Sequence, residues 1–245
     1  MLKTIKKLIP SAVKKKLIVL GSMLFDVHAA KCYSQEGEDM ILRRIFEGKT
    51  HGFYVDVGAH HPIRFSNTYN FYKKGWMGIN IDAMPSSMIP FNKIRPRDIN
   101  LELPISDKRE KLIYYAFNEP ALNGFSKELS MARDGHRDYK IISQIDMETR
   151  TLAQVFDEYL PEGQHIDFLS IDVEGLDYAV LRSNDWEKFR PEVVLVEVLG
   201  AKLENVISSE VAKYMKSMGY AVFAKTFNTV FFRQETDVAV MGGEK

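Results

Sequence analysis

From Tyr33 onward, short apolar runs alternate with stretches of helical period. The run 52–57 is apolar and β-branched or aromatic, stops at Gly58, and reads as a buried strand. Before it, 36–46 reads as a helix with Ser34 as its cap. After it, Ser66 is placed to cap a short helix that holds Tyr69 and Tyr72 and ends at Gly75. Residues 76–81 form the next strand, closing on Asp82, and Met88, Phe91 and Ile94 share a helix face. Ile99, Leu101, Leu103 and Ile105 alternate with polar residues, as a strand does, and 112–117 is a further strand. The stretch 118–148 is polar and without a clear period. Leu152, Val155, Phe156 and Tyr159 form a helix face, 166–171 is an apolar strand closing on Asp172, and 193–198 is another after Pro191. Leu203, Val206, Ile207, Tyr214, Met215 and Met218 lie on one helix face with Gly219 as its C-cap. Two strands, 220–225 and 229–233, turn at Phe227-Asn228. Strands alternating with helices predict one α/β domain, a mostly parallel sheet covered on both faces with an antiparallel closing hairpin. It spans 31–235, between an N-terminal arm of residues 1–30 and a tail of residues 236–245.

Composition narrows the function classes. The chain is 45% hydrophobic and 27% charged, ordinary for a globular protein, and 33 basic side chains balance 33 acidic ones. The lack of a basic excess argues against a nucleic-acid-coating role. Cys32 is the single cysteine, so no intrachain disulfide and no cysteine zinc cluster can form, and a reducing, cytoplasmic setting is expected. The charge is uneven: residues 1–26 carry six lysines and Asp26, a net of +5, which leaves −5 for the rest. Within 1–20, Leu2, Ile5, Leu8, Ile9, Ala12 and Val13 recur near helical spacing between lysines. Two readings stay open: a helix in peripheral contact with an anionic membrane face, and an ordinary helix with its lysines in water. The uncharged run 17–25 is too short to span a bilayer. The basic stretch before it is long for a secretory leader, although Ala29-Ala30 would suit cleavage.

The chemistry is expected at the carboxyl ends of the parallel strands, where open α/β sheets bind ligands. These ends read Asp56-Val57-Gly58-Ala59-His60, Asp82, Asp172-Val173-Glu174-Gly175 and Glu197. A G-x-G-x-x-G pyrophosphate fingerprint is absent from the first loop. S-adenosylmethionine carries no phosphate, needs only one close backbone approach, and brings a positive sulfonium and amino group that suit Asp56 or Asp172. Asp82 stands 24 residues beyond Gly58, near the spacing of an acid that accepts from a ribose diol; a strand-end cap is the plainer alternative.

The segments YSQEGEDMIL (33–42), FYVDVGAHHP (53–62), FSNT (65–68), GWMGINIDAMP (75–85), IDFLSIDVEGLDYAVLRS (166–183) and RPEVVLVEVLG (190–200) resemble the FkbM family of S-adenosylmethionine-dependent methyltransferases. The resemblance implies a class I methyltransferase fold: a doubly wound, Rossmann-like, mostly parallel seven-stranded sheet with an antiparallel C-terminal hairpin. It implies O-methylation of a sugar or glycan-type acceptor. By the same resemblance, Asp56, Gly58 and Ala59 meet the methionine half of the cofactor, Asp82 the ribose, and Ser106 and Asp107 the adenine, while Asp172 and Glu174 face the methyl group. His60 and His61 depart from the usual glycine-rich loop.

Methyl transfer needs alignment and a proton acceptor. His60 is the first candidate base and Asp172 and Glu174 are its rivals; His61, before Pro62, reads as structural. Asp172, Glu174 and Glu197 are read as direct partners of cofactor or acceptor rather than as holders of a divalent ion, and Glu197 could also pair with Arg190 or Arg182. Two other classes stay in play: a glycosyltransferase, because Asp172-Val173-Glu174 is similar to an acid-x-acid motif for sugar nucleotides, and a binding module without catalysis.

Overall fold

The computed structural model describes residues 29–200 and 202–235, with isolated positions before residue 29. Residues 1–32 and 33–245 are separate units. In the first, Val13, Lys15, Lys16, Gly21 and Ser22 are helical; most of the amphipathic stretch 1–20 lies outside the described residues, as does the tail 236–245. Among the described residues no helix is long and apolar enough to cross a membrane.

The second unit opens with α1 (Glu38–Ile45), β1 (Phe53–Val57), α2 (Tyr69–Tyr72), β2 (Met77–Asp82), α3 (Met88–Ile94) and β3 (Ile99–Glu102). An insertion follows, made of β4 (Lys111–Phe117), a 3-10 turn at Pro120–Leu122, α4 (Lys127–Arg133) and β5 (Ile141–Glu148). The chain returns through α5 (Leu152–Tyr159), β6 (Phe168–Ile171), α6 (Asp177–Arg182), β7 (Val193–Glu197), α7 (Leu203–Val206), α8 (Glu210–Ser217), β8 (Tyr220–Lys225) and β9 (Thr229–Gln234).

Seven strands form one sheet in the order β3-β2-β1-β6-β7-β9-β8. All neighbours are parallel except β9, which runs antiparallel to both β7 and β8. This is the doubly wound α/β fold with its closing hairpin. The order reverses between β1 and β6, and the cleft should open there. Side-chain alternation divides the core. Phe53, Val55 and Val57 of β1 pack with Leu152, Val155, Val180, Leu181 and Met215 on one face. Tyr54 of the same strand packs with Phe168, Leu42, Phe71 and Trp76 on the other.

Two expectations change. The region without a clear period holds α4 and β5, and β5 pairs antiparallel with β4 in a separate two-stranded sheet. Its residues read as loop because most β5 side chains stay partly or fully exposed. The single helix expected across 203–218 is two helices. Ser209 Oγ accepts from Ala212 N (3.1 Å) and starts the second one, a helix N-cap inside an otherwise continuous apolar stripe.

Candidate functional site

A cleft of about 460 Å³ opens at the strand ends, within the usual range for small-ligand sites. One wall comes from the sheet: Gly58 and His60 after β1, Asp82 at the end of β2, Asp172 and Glu174 after β6, and Glu197 at the end of β7. The insertion supplies the facing wall, including Tyr114, Asn123, Phe125, Arg133 and Tyr139. Leu103, Pro104 and Ile105 form an apolar shelf, and Glu36 and Glu38 close one end. Glu36 accepts from Asn228 N (2.7 Å) and Glu38 from Thr226 Oγ1 (2.8 Å), which ties the segment before and into α1 to the β8–β9 turn.

The loop after β1 is held tightly. Gly58 N and Ala59 N both donate to Ile81 O (2.9 and 3.0 Å), and His60 N donates to Asp82 Oδ2 (2.7 Å). Asp82 Oδ1 also accepts from Met84 N (2.8 Å), so this acid organises two loops while facing the cleft. His60 sits at positive φ and its ring stacks near Phe65. Burial, with Arg64 and His61 beside it, lowers its pKa and keeps the imidazole neutral near pH 7. His61 Nδ1 accepts from Ile63 N and Arg64 N (both 3.0 Å), the structural role expected of it.

The structure does not bring every expected residue into the cleft. Asp56 is 5% exposed and shares the Tyr54 face of β1, so its carboxylate turns into a buried polar network and accepts from Thr68 Oγ1 (2.9 Å). Ala59 packs against Met88 and Phe91. Ser106 is buried and its amide donates to Arg150 O (3.0 Å), while Asp107 pairs with Arg182 (3.2 Å); neither lines the cleft, whose wall here is Leu103 to Ile105. Arg182 is therefore engaged away from Glu197, and Arg190 donates to the Trp186 and Met218 carbonyls. Thr68, not Ser66, holds the N-cap position of α2, although Ser66 Oγ does accept from its first amide, Tyr69 N (3.1 Å). Asn67, which lines the cleft, donates to Ser170 Oγ (3.0 Å).

Arg95 organises that buried network. Fully buried, it donates to Pro62 O (2.8 Å), Thr68 Oγ1 (2.7 Å), Asn80 Oδ1 (3.1 Å) and Ser66 Oγ (2.6 Å). It thereby braces the loop that carries His60, Arg64, Phe65 and Asn67. Asp98 stands 3.9 Å from it and accepts from Tyr54 OH (2.7 Å). Burial raises Asp56 to about 6 against the pull of Arg95.

Carboxylate oxygens of Asp172, Glu174 and Glu197 lie within 4.8 Å of one another. Glu174, at positive φ, pairs with Arg133 of α4 (2.7 Å), so the insertion brings a cation to the cluster. Asp172 is open to the cleft, but the cleft is so recessed that protein surrounds the carboxylate elsewhere; desolvation, then Glu197, raise its pKa well above the usual range. Burial, then Glu174 and Asp177, push Glu197 up to about 8. Glu197 Oε2 is buried without a hydrogen-bond partner. Such atoms in a cleft wall mark contacts that a ligand completes.

These raised acids give the fold a pH dependence. Asp56 and Asp177, each at about 6, and Glu197 at about 8 keep protons that the unfolded chain releases near pH 4. The folded state then binds more protons, and stability falls as pH rises through that window. The melting temperature should drop between pH 5.5 and 8.5, and Glu197→Gln should flatten the upper part of the slope. Thermal melts across that range check it; a melting temperature that climbs with pH would contradict the assignment of these acids.

The Methyltransferase FkbM domain family matches residues 56–222, most of the unit that builds the cleft. The chain belongs to the FkbM methyltransferase family. The sheet order and closing hairpin are those of a Rossmann-like methyltransferase, and the matched span carries all of the cleft acids from Asp82 to Glu197. No curated protein matches the chain. As an FkbM methyltransferase, the protein departs from its sequence-level reading in three ways. Its buried Asp56 supports a loop, the insertion supplies one wall of the cleft, and Ser106 and Asp107 lie outside the cleft lining.

Proposed function

We propose that this FkbM methyltransferase uses S-adenosylmethionine to methylate a hydroxyl of a sugar or glycan-type acceptor. The observation that carries the reading is the cluster of Asp172, Glu174 and Glu197, three carboxylates met by the single cation of Arg133, with Glu174 Oε2 and Glu197 Oε2 both buried without a hydrogen-bond donor. That unbalanced negative charge fits a cationic ligand.

The remaining residues fit the same cofactor. Asp82 has lone pairs left for ribose hydroxyls after its two backbone bonds. Leu103, Pro104 and Ile105 offer a flat apolar shelf for the adenine. When bound, S-adenosylmethionine supplies a methyl group on positive sulfur. The protein's work is to align the acceptor oxygen, exclude water and take the hydroxyl proton. His60, Phe65, Asn67 and Tyr139 line the cleft with aromatic faces and polar groups, a combination suited to a polyhydroxylated acceptor. A diphosphate donor is a poorer match, because the cleft arginines Arg64 and Arg133 already face Glu119 (3.7 Å) and Glu174 (2.7 Å).

Transfer of labelled methyl from S-adenosylmethionine to a panel of sugars and glycans tests the reading. Label should enter a hydroxyl-bearing acceptor, and Asp172→Asn should lower turnover by about tenfold or more while the melt shows a folded protein. Chelation by EDTA should leave the rate unchanged, since Arg133 already supplies positive charge at the acids. Binding of sugar nucleotides alone, with no affinity for S-adenosylhomocysteine, would instead favour glycosyl transfer.

A further inference from the structure

Around the cleft acids, donors are unevenly shared. Asp177, at the start of α6, accepts from Val173 N and Gly175 N (both 3.1 Å). Glu36 accepts from Asn228 N (2.7 Å) and Thr226 Oγ1 (3.0 Å), and Glu174 has the Arg133 guanidinium. Asp56 on β1 has Thr68 Oγ1 and the influence of Arg95. Asp177, Glu36 and Asp56 can hold their charge against hydrogen-bond donors, whereas Glu174 Oε2 has the Arg133 cation 2.7 Å away but no well-aligned hydrogen bond. Glu197 has neither: its Oε2 is buried without a partner, and a carboxylate oxygen of Glu197 lies within 4.8 Å of Asp172 and Glu174 oxygens. Two carboxylates at this separation in a recessed site do not both ionise readily.

We propose that Asp172 and Glu197 share one proton until a sulfonium enters the cleft, lose it to that positive charge, and so become the base for the transfer. The inference rests on the S-adenosylmethionine reading above and moves the proton-accepting role from His60 to the acids. Its charges balance through the cycle. The pair carries one negative charge when it holds the proton and two after the proton has left to solvent. As the acceptor oxygen bonds to the methyl carbon, the carbon–sulfur bond breaks with both electrons remaining on sulfur. The hydroxyl proton passes to the pair through Asp172, the member open to the cleft. Positive sulfur becomes a neutral thioether, and the pair returns to its singly protonated form as that positive charge disappears. Arming the base thus depends on the methylated cofactor and ends with its demethylation.

The raised pKa values of both acids agree with a proton held at neutral pH. A cation within about 4–6 Å lowers a carboxylate pKa by roughly one to three units, enough to release most of that proton near pH 7.

Titration calorimetry on the full chain, at pH 7 in buffers of different ionisation heat, counts the protons exchanged. S-adenosylmethionine and sinefungin, which carries an amine in place of the sulfonium, should release roughly half to one proton on binding. S-adenosylhomocysteine, with neutral sulfur, should release almost none. Glu197→Gln and Asp172→Asn should each abolish the difference while still binding S-adenosylhomocysteine, which also reports that each variant is folded. Equal proton counts for S-adenosylmethionine and S-adenosylhomocysteine, or a difference that survives in both variants, would overturn the shared proton and leave the cofactor reading standing. If none of the three ligands binds, the cofactor reading fails and the inference falls with it.

Discussion

Alanine at position 58 is expected to unravel the cleft at its root. Gly58 sits at φ +84°, and a Cβ built there would lie 1.7 Å from the Asp172 carbonyl oxygen and 2.7 Å from its carbon. Both atoms are backbone, so no side-chain rotation relieves the clash. The strands must separate where Asp172 N donates to Val57 O (2.9 Å), beside the Val57–Ile171 register. The left-handed conformation alone costs a non-glycine residue about 1–2 kcal/mol. Adding the broken strand junction, the loss should reach about 3–5 kcal/mol, a large share of a domain's stability. Gly163→Ala is the control, since Gly163 has positive φ with nothing within 4 Å of its Cβ. Chemical denaturation of both variants checks the argument. Equal midpoints would show that the strand ends can part freely and that close approach does not dictate the glycine.

Removing the guanidinium of Arg95 should be about as severe. Arg95→Met leaves the Pro62 carbonyl and the Asn80 and Ser66 oxygens without their donor, and takes the cation away from Asp98 and Asp56, all in a buried setting. Stripping one partner from a buried charged network costs about 3–5 kcal/mol. The loss should depend on pH in a definite direction. Without Arg95, Asp56 and Asp98 rise further above ordinary carboxyl values, so the variant is penalised most where they must ionise. Urea melts should show a larger deficit at pH 8 than at pH 5.5. An equal deficit would mean that Arg95 acts through packing rather than charge.

The central strands were legible because both their faces are buried. β1, β6 and β7 are nearly unbroken apolar runs, with an acid inside the end of β1, just after β6 and at the end of β7, and such runs can be little else in an α/β sequence. The cleft acids Asp82, Asp172, Glu174 and Glu197 followed directly from where those runs stop. Asp56 shows the limit of reading strand ends: it shares the Tyr54 face, and parity alone does not say which face meets the cleft. Arg95 gave no sequence signal, since the acceptors of its hydrogen bonds lie 15 to 33 residues upstream and meet it only in three dimensions. The insertion was obscure for a physical reason as well. A cleft wall is wet on one side, so β5 lacks the alternation of a core strand, and Arg133 looks like any surface cation until Glu174 is placed beside it.

The central claim, a methyltransferase cleft that holds S-adenosylmethionine against Asp82, is tested most directly by titrating S-adenosylhomocysteine into the wild-type chain and Asp82→Ala. The wild type should bind, and the folded variant should bind more weakly by about 1–3 kcal/mol, roughly 5- to 150-fold, because ribose hydroxyls lose their acceptor. No binding by the wild type, or equal affinity in a variant whose melt shows it folded, would contradict the account.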